Sequence, residues 1–83
     1  MPHINKSIEA SLLDGRKPMN AGELTWTLWR ECVEYVSRNG RSFSVFCVVM
    51  GSLVCCMFEL YRKRIGPYED EKIAENGEAL GGL

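Results

Sequence analysis

The sequence predicts an all-α membrane protein. One transmembrane helix is preceded by an amphipathic interfacial helix, with a polar N-terminal arm and an acidic C-terminal tail. Three observations carry this expectation. The stretch Ser42 to Tyr61 reads SFSVFCVVMGSLVCCMFELY, and Glu59 is its only charge between Arg41 and Arg62. The stretch before it, ELTWTLWRECVEYVSR, places apolar residues at helical spacing. Finally, a chain of 83 residues with polar flanks has little else with which to bury so apolar a helix. The expected segments are a polar arm over 1–20, an interfacial helix over 21–39, the span with its basic exit over 42–64, and an acidic tail over 65–83.

The arm, MPHINKSIEASLLDGRKPMN, is polar with scattered apolar positions. No apolar core follows a charged start, so a cleavable secretory signal is not expected. Glu9, Asp14 and a single arginine argue against a mitochondrial transit peptide, which is acid-poor and arginine-rich. Any targeting information then falls to the span. Asp14-Gly15 and Lys17-Pro18 read as turns. Ser7 to Leu13 has room for a turn or two of helix, within an extended or loosely ordered arm that gains order against a partner.

Asn20-Ala21-Gly22-Glu23 has the form of a capping box, with asparagine at the cap and glutamate three residues on. In the helix that follows, Leu24, Trp26, Leu28, Trp29, Cys32, Val33, Tyr35 and Val36 take a little over half of the wheel. Glu23, Thr27, Arg30, Glu31, Glu34, Ser37 and Arg38 take the rest. Trp26, Trp29 and Tyr35 are expected to act as interface anchors, because an apolar ring with a polar tip suits the headgroup boundary. The same rings would serve as anchors against a partner subunit. A polar face of mixed sign argues against binding anionic lipid by charge alone. Asn39-Gly40 closes this helix, with Gly40 free to adopt the left-handed conformation that ends a helix. One continuous helix kinked at that point is the alternative.

Twenty residues at ~1.5 Å each make a helix of roughly 30 Å, the thickness of a bilayer's hydrocarbon core. On the wheel, Ser44, Cys47, Gly51, Ser52, Cys55 and Glu59 share one side, with Val48 and Cys56 beside them. Phe43, Phe46, Met50, Leu53, Met57, Leu60 and Tyr61 share the other. Helices associate in lipid by close backbone approach, so the small side is the expected helix-packing face. Glu59 is a carboxylate one turn inside the basic exit, placed to pair with Arg62, Lys63 or a neighbouring subunit. Tyr61, Arg62, Lys63 and Arg64 are expected to anchor the helix end at the headgroups. That compact trio tilts the C-terminus towards the cytosolic or matrix-like side, although Arg30, Arg38 and Arg41 precede the span. Gly66-Pro67 is expected to break the helix, and a short helix over the acidic residues to Gly77 competes with a solvated tail.

Composition excludes several function classes. The net charge of −1 offers no basic excess for nucleic acid. Of the four cysteines, Cys47, Cys55 and Cys56 lie inside the span and cannot form a disulfide framework with one another. Cys55 and Cys56 are candidates for acylation only if their end faces the cytosol. His3 is the lone histidine, in a polar stretch, and no metal-ligand spacing or phosphate-binding loop is present. No catalytic residue, cofactor, metal or small-molecule substrate is therefore expected. The expected partners are membrane lipid and other transmembrane subunits of a hetero-oligomeric complex.

Gly40-Arg41 before the span, Gly51-Ser52 within it and the basic exit at Arg62 to Arg64 resemble the k-type subunits of mitochondrial ATP synthase. In size and layout the chain also resembles other small single-span accessory subunits of respiratory complexes. The particular likeness lies within residues 40–64. It implies a non-catalytic accessory subunit of a large mitochondrial inner-membrane complex, of the respiratory chain or ATP synthase. Two other readings stay open. One is a small regulatory or viral single-span protein that self-associates through Cys47, Gly51 and Cys55, or binds a channel or transporter. The other is a soluble helical interaction module.

Overall fold

A computed structural model describes residues 3–77, and every regular element among them is helical: α1 (Lys6–Leu13), α2 (Ala21–Asn39), α3 (Phe43–Leu60) and α4 (Gly66–Asn76), with a π-helical turn, Tyr61–Ile65, between the last two. The closing residues ALGGL lie outside the described residues, apart from which only Met1, Pro2 and Glu78 are left out. Contacts group the chain into two compact units, Met1–Val49 and Met50–Leu83.

In the first unit, α1 forms over nearly the stretch, Ser7 to Leu13, with room for a turn or two of helix within the arm. Asn5 caps α1, its Oδ1 accepting from Ile8 N–H at 2.9 Å and from the Ser7 hydroxyl at 2.8 Å. At the other end Gly15 adopts φ +103°. There Arg16 N–H donates to the Ser11 carbonyl at 3.0 Å and Gly15 N–H to that of Leu12 at 3.2 Å. This pair of bonds is a Schellman closure, which needs a residue that tolerates positive φ. Capped at both ends, α1 also buries Leu12, which is 5% exposed.

α2 starts where the sequence places it. Asn20 Oδ1 accepts from Glu23 N–H at 2.9 Å. The return half of the capping box is shifted: Glu23 Oε1 reaches past the cap to Met19 N–H at 3.0 Å. Thr25 and Thr27 return their hydroxyls to the carbonyls of Ala21 and Glu23 at 2.8 and 2.9 Å, so neither hydroxyl needs an outside partner. Asn39 closes the helix, its side-chain amide donating to the Tyr35 carbonyl at 2.9 Å. Gly40 follows with φ +93° and ψ 141°, a positive-φ conformation outside the left-handed helical one expected of it, and this excludes a continuous helix through the bend.

Ser42 caps α3, its Oγ accepting from Val45 N–H at 3.2 Å. The eighteen residues of α3 run at ~1.5 Å each to about 27 Å. None of them is buried.

The break expected at Gly66-Pro67 is instead a π-turn. Phe43–Asn76 is one helical run of 34 residues, long and apolar enough at its start to cross a membrane. Pro67 has no N–H, and its ring crowds the carbonyl four residues back. The backbone widens to accommodate it, and Gly66 N–H donates to the Tyr61 carbonyl, five residues back. A Cβ on Gly66 would stand 3.3 Å from that oxygen, so glycine suits the close approach. α4 then ends at Gly77, which has φ +81°.

Candidate functional site

Three places in the fold hold the residues singled out by sequence. The first is a charged clasp in the Met1–Val49 unit. Arg16 Nη2 lies 3.0 Å from Glu23 Oε1, and Asn20 Nδ2 donates to Glu23 Oε2 at 3.3 Å. Glu23 is 5% exposed, an almost fully buried carboxylate with donors on both oxygens. The Met19 N–H, followed by Arg16 and Asn20, holds its carboxyl below the ordinary value, against the opposing effect of burial. One helical turn on, Trp26 is 8% exposed, and it is with Leu12 one of two buried apolar side chains among the described residues.

Arg30 covers Trp26, its guanidinium carbon 5.9 Å from the ring centroid. Its two terminal nitrogens bind Glu34 at 2.9 Å and Glu31 at 3.2 Å. Trp26 is therefore enclosed by its own chain, which removes it from the expected set of outward anchors. Trp29 remains outward, and Tyr35 is half-buried.

The second place is apolar. Trp29, Cys32, Val33 and Val36 of α2 and Phe46 and Val49 of α3 line a shallow groove, with Ser37 at its edge. This is the part of the α2 apolar face that the bend at Gly40 turns towards the start of α3.

The third place is α3 and its exit. Ser44, Cys47, Gly51, Ser52, Cys55 and Glu59 are all exposed. A Cβ on Gly51 would meet no atom within 4 Å. The large residues opposite are exposed as well, Phe43 at 83%. Glu59 pairs within its own helix: Arg62 binds it through Nη2 at 2.7 Å and Nε at 3.2 Å, and Lys63 Nζ lies 3.6 Å away. Arg64 and Tyr61 are exposed.

All four cysteines are free thiols. Among the described residues no group of three His, Cys, Asp or Glu side chains is placed to hold a metal ion.

Sequence reading missed Arg16, Arg30, Phe46 and Val49. Arg16 sits in an aperiodic loop, where nothing in the local pattern pairs it with a residue seven positions on. Arg30 reads as part of the polar face, and only its reach over Trp26 makes it a cover. The α2–α3 groove depends on the direction taken at Gly40, which no periodicity encodes.

The arrangement defines a class: among the described residues, a small all-helical chain with one long apolar helix, none of it buried within the chain. The chain belongs to the family described as Domain of unknown function (DUF6899), whose model matches residues 1–79. No curated protein and no solved structure matches it.

Proposed function

We propose that this chain is a non-catalytic, single-span accessory subunit that helps assemble and stabilise a larger membrane complex. One observation carries the reading. α3 is eighteen residues of almost continuous apolar surface, none of it buried within the chain. A soluble monomer does not present such a surface to water, and a core helix of a soluble domain would be mostly covered. Lipid and neighbouring helices are the media that satisfy it. α3 begins at Phe43, well inside the chain, which is unlike an N-terminal signal sequence.

On this reading the side bearing Cys47, Gly51 and Cys55 packs against neighbouring spans, and the bulky side meets lipid or large partner side chains. α2 lies at the membrane surface as the amphipathic, interfacial element. Trp29 and the groove-lining residues face apolar neighbours, and the mixed charges of Arg30, Glu31 and Glu34 face water. Glu59 needs no partner-subunit cation, because Arg62 and Lys63 already neutralise it. The resemblance to k-type subunits supports the mitochondrial inner membrane, with the respiratory chain and ATP synthase as the first complexes to test.

The test is blue-native electrophoresis of the endogenous protein in mild detergent, with mass spectrometry of the band. Co-migration with a large complex supports the subunit reading and names the complex. Migration as a monomer or small oligomer sinks it. The rival, a self-associating regulator, is favoured by the open space at Gly51. It predicts dimers in a membrane two-hybrid assay that Gly51→Leu abolishes.

A further inference from the structure

We propose that the π-turn Tyr61–Ile65 is where the chain leaves the bilayer, forming a polar collar seated in the phospholipid headgroup layer, with α4 standing beyond it in water. The proposal rests on the span reading and adds the depth, the occupant and the form of the exit.

Backbone chemistry supplies the first argument. Gly66 N–H is turned to the Tyr61 carbonyl, so the Arg62 carbonyl loses its α-helical donor. The α-helical donor of the Lys63 carbonyl would be Pro67, which has no N–H. Two consecutive carbonyls are thus deprived of their ordinary partners at one level of the helix. Hydrocarbon offers no replacement donor, whereas hydrated headgroups offer many.

Charge supplies the second argument. Arg62, Lys63 and Arg64 follow one another around the axis at this level, and all three are exposed. Glu59 engages two of them and leaves a net charge of +2 across the four groups. That sign complements lipid phosphates, and Arg64 is the member Glu59 does not hold.

α4 supplies the third. It carries Glu69, Asp70, Glu71 and Glu75, whereas its one cation, Lys72, binds Glu75 at 3.2 Å and lies over the Tyr68 ring. An anionic membrane surface repels such a helix. Because the run to Asn76 is helical, the part beyond the collar is a short post and not a loose tail.

The experiment uses the full chain with all four cysteines changed to alanine, reconstituted in phospholipid nanodiscs. Single nitroxide labels at Phe58, Ile65, Tyr68 and Ile73 are relaxed by oxygen or by a water-soluble nickel chelate. Oxygen should dominate at Phe58 and nickel at Tyr68 and Ile73, with the crossover at Ile65. The Ile65 label should also be less mobile in discs containing anionic lipid than in wholly zwitterionic ones. Oxygen-dominated relaxation at Tyr68 or Ile73 would overturn the collar and leave the span intact. Nickel-dominated relaxation at Phe58 would overturn both. An Ile65 spectrum indifferent to lipid charge would overturn the attraction of the basic collar to anionic headgroups.

Discussion

Arg16 Nη2 stands 3.0 Å from Glu23 Oε1, and this ion pair ties the loop after α1 to the first turn of α2. The same carboxylate receives the Met19 N–H, while its own backbone N–H serves the Asn20 cap. One residue thus closes the start of α2 and holds the preceding loop against it. Asn20→Ala removes the cap acceptor and should cost about 1 kcal/mol. Glu23→Ala should reduce stability further, because the Met19 N–H and Arg16 both lose their acceptor. Thermal unfolding of the full chain in micelles, followed by circular dichroism, ranks the two variants.

Glu23 also gives the clasp a pH dependence of definite sign. Its folded pKa is lowered, chiefly by the Met19 N–H, so its stabilising contribution is present above the unfolded carboxylate value. That contribution fades as the pH falls through the lowered folded value. Acidification should therefore loosen the clasp late, below the range in which ordinary surface glutamates titrate. Trp26 emission in a Trp29→Phe background reports it, and the same scan on Glu23→Gln should lose this transition.

Gly40 and Gly51 make a controlled pair. A Cβ at either position would meet nothing within 4 Å, so crowding within the chain distinguishes neither. Gly40 has φ +93°, whereas Gly51 lies within α3. Gly40→Ala should destabilise the bend by roughly 1–3 kcal/mol of backbone strain. Gly51→Ala should be neutral or stabilising by up to ~1 kcal/mol in the isolated chain. Equal effects of the two substitutions on thermal stability would contradict the positive-φ account of the bend.

Pro67→Ala restores a donor to the Lys63 carbonyl. The π-turn should then relax to α-helix, with Gly66 N–H returning to the Arg62 carbonyl. Removing one residue's worth of widening turns α4 by about 100° relative to the helix before it. Amide exchange at residues 66 and 67 and residual dipolar couplings across Leu60–Tyr68 report the change. Persistence of the Gly66-to-Tyr61 bond would show that glycine, and not proline, maintains the turn.

Much of the local structure is legible in the residues alone. The caps at Asn20 and Gly40, and the apolar run from Phe43, are consequences of side-chain chemistry within a few positions. Such signals survive any surroundings, because a cap oxygen or a glycine φ acts on its immediate backbone. α1 is half legible: Gly15 announces an end, while the stability of so short a helix depends on burying Leu12.

At Gly66-Pro67 the local rule points the wrong way. Proline breaks a helix unless the backbone can redirect one hydrogen bond, and the neighbouring glycine permits that here.

By itself, then, the sequence determined the helical class, the helix ends around α2 and the uncharged length of α3, all of them properties of near neighbours. Arg30 reaches Trp26 from one turn along the same helix, whereas only the tertiary structure decided that Arg16 serves Glu23 and that Trp29 shares a groove with Phe46. Those outcomes depend on which way the chain turns at Gly15 and Gly40. A turn direction brings together residues with no periodic relation in sequence, so their partnership appears only once the chain has folded.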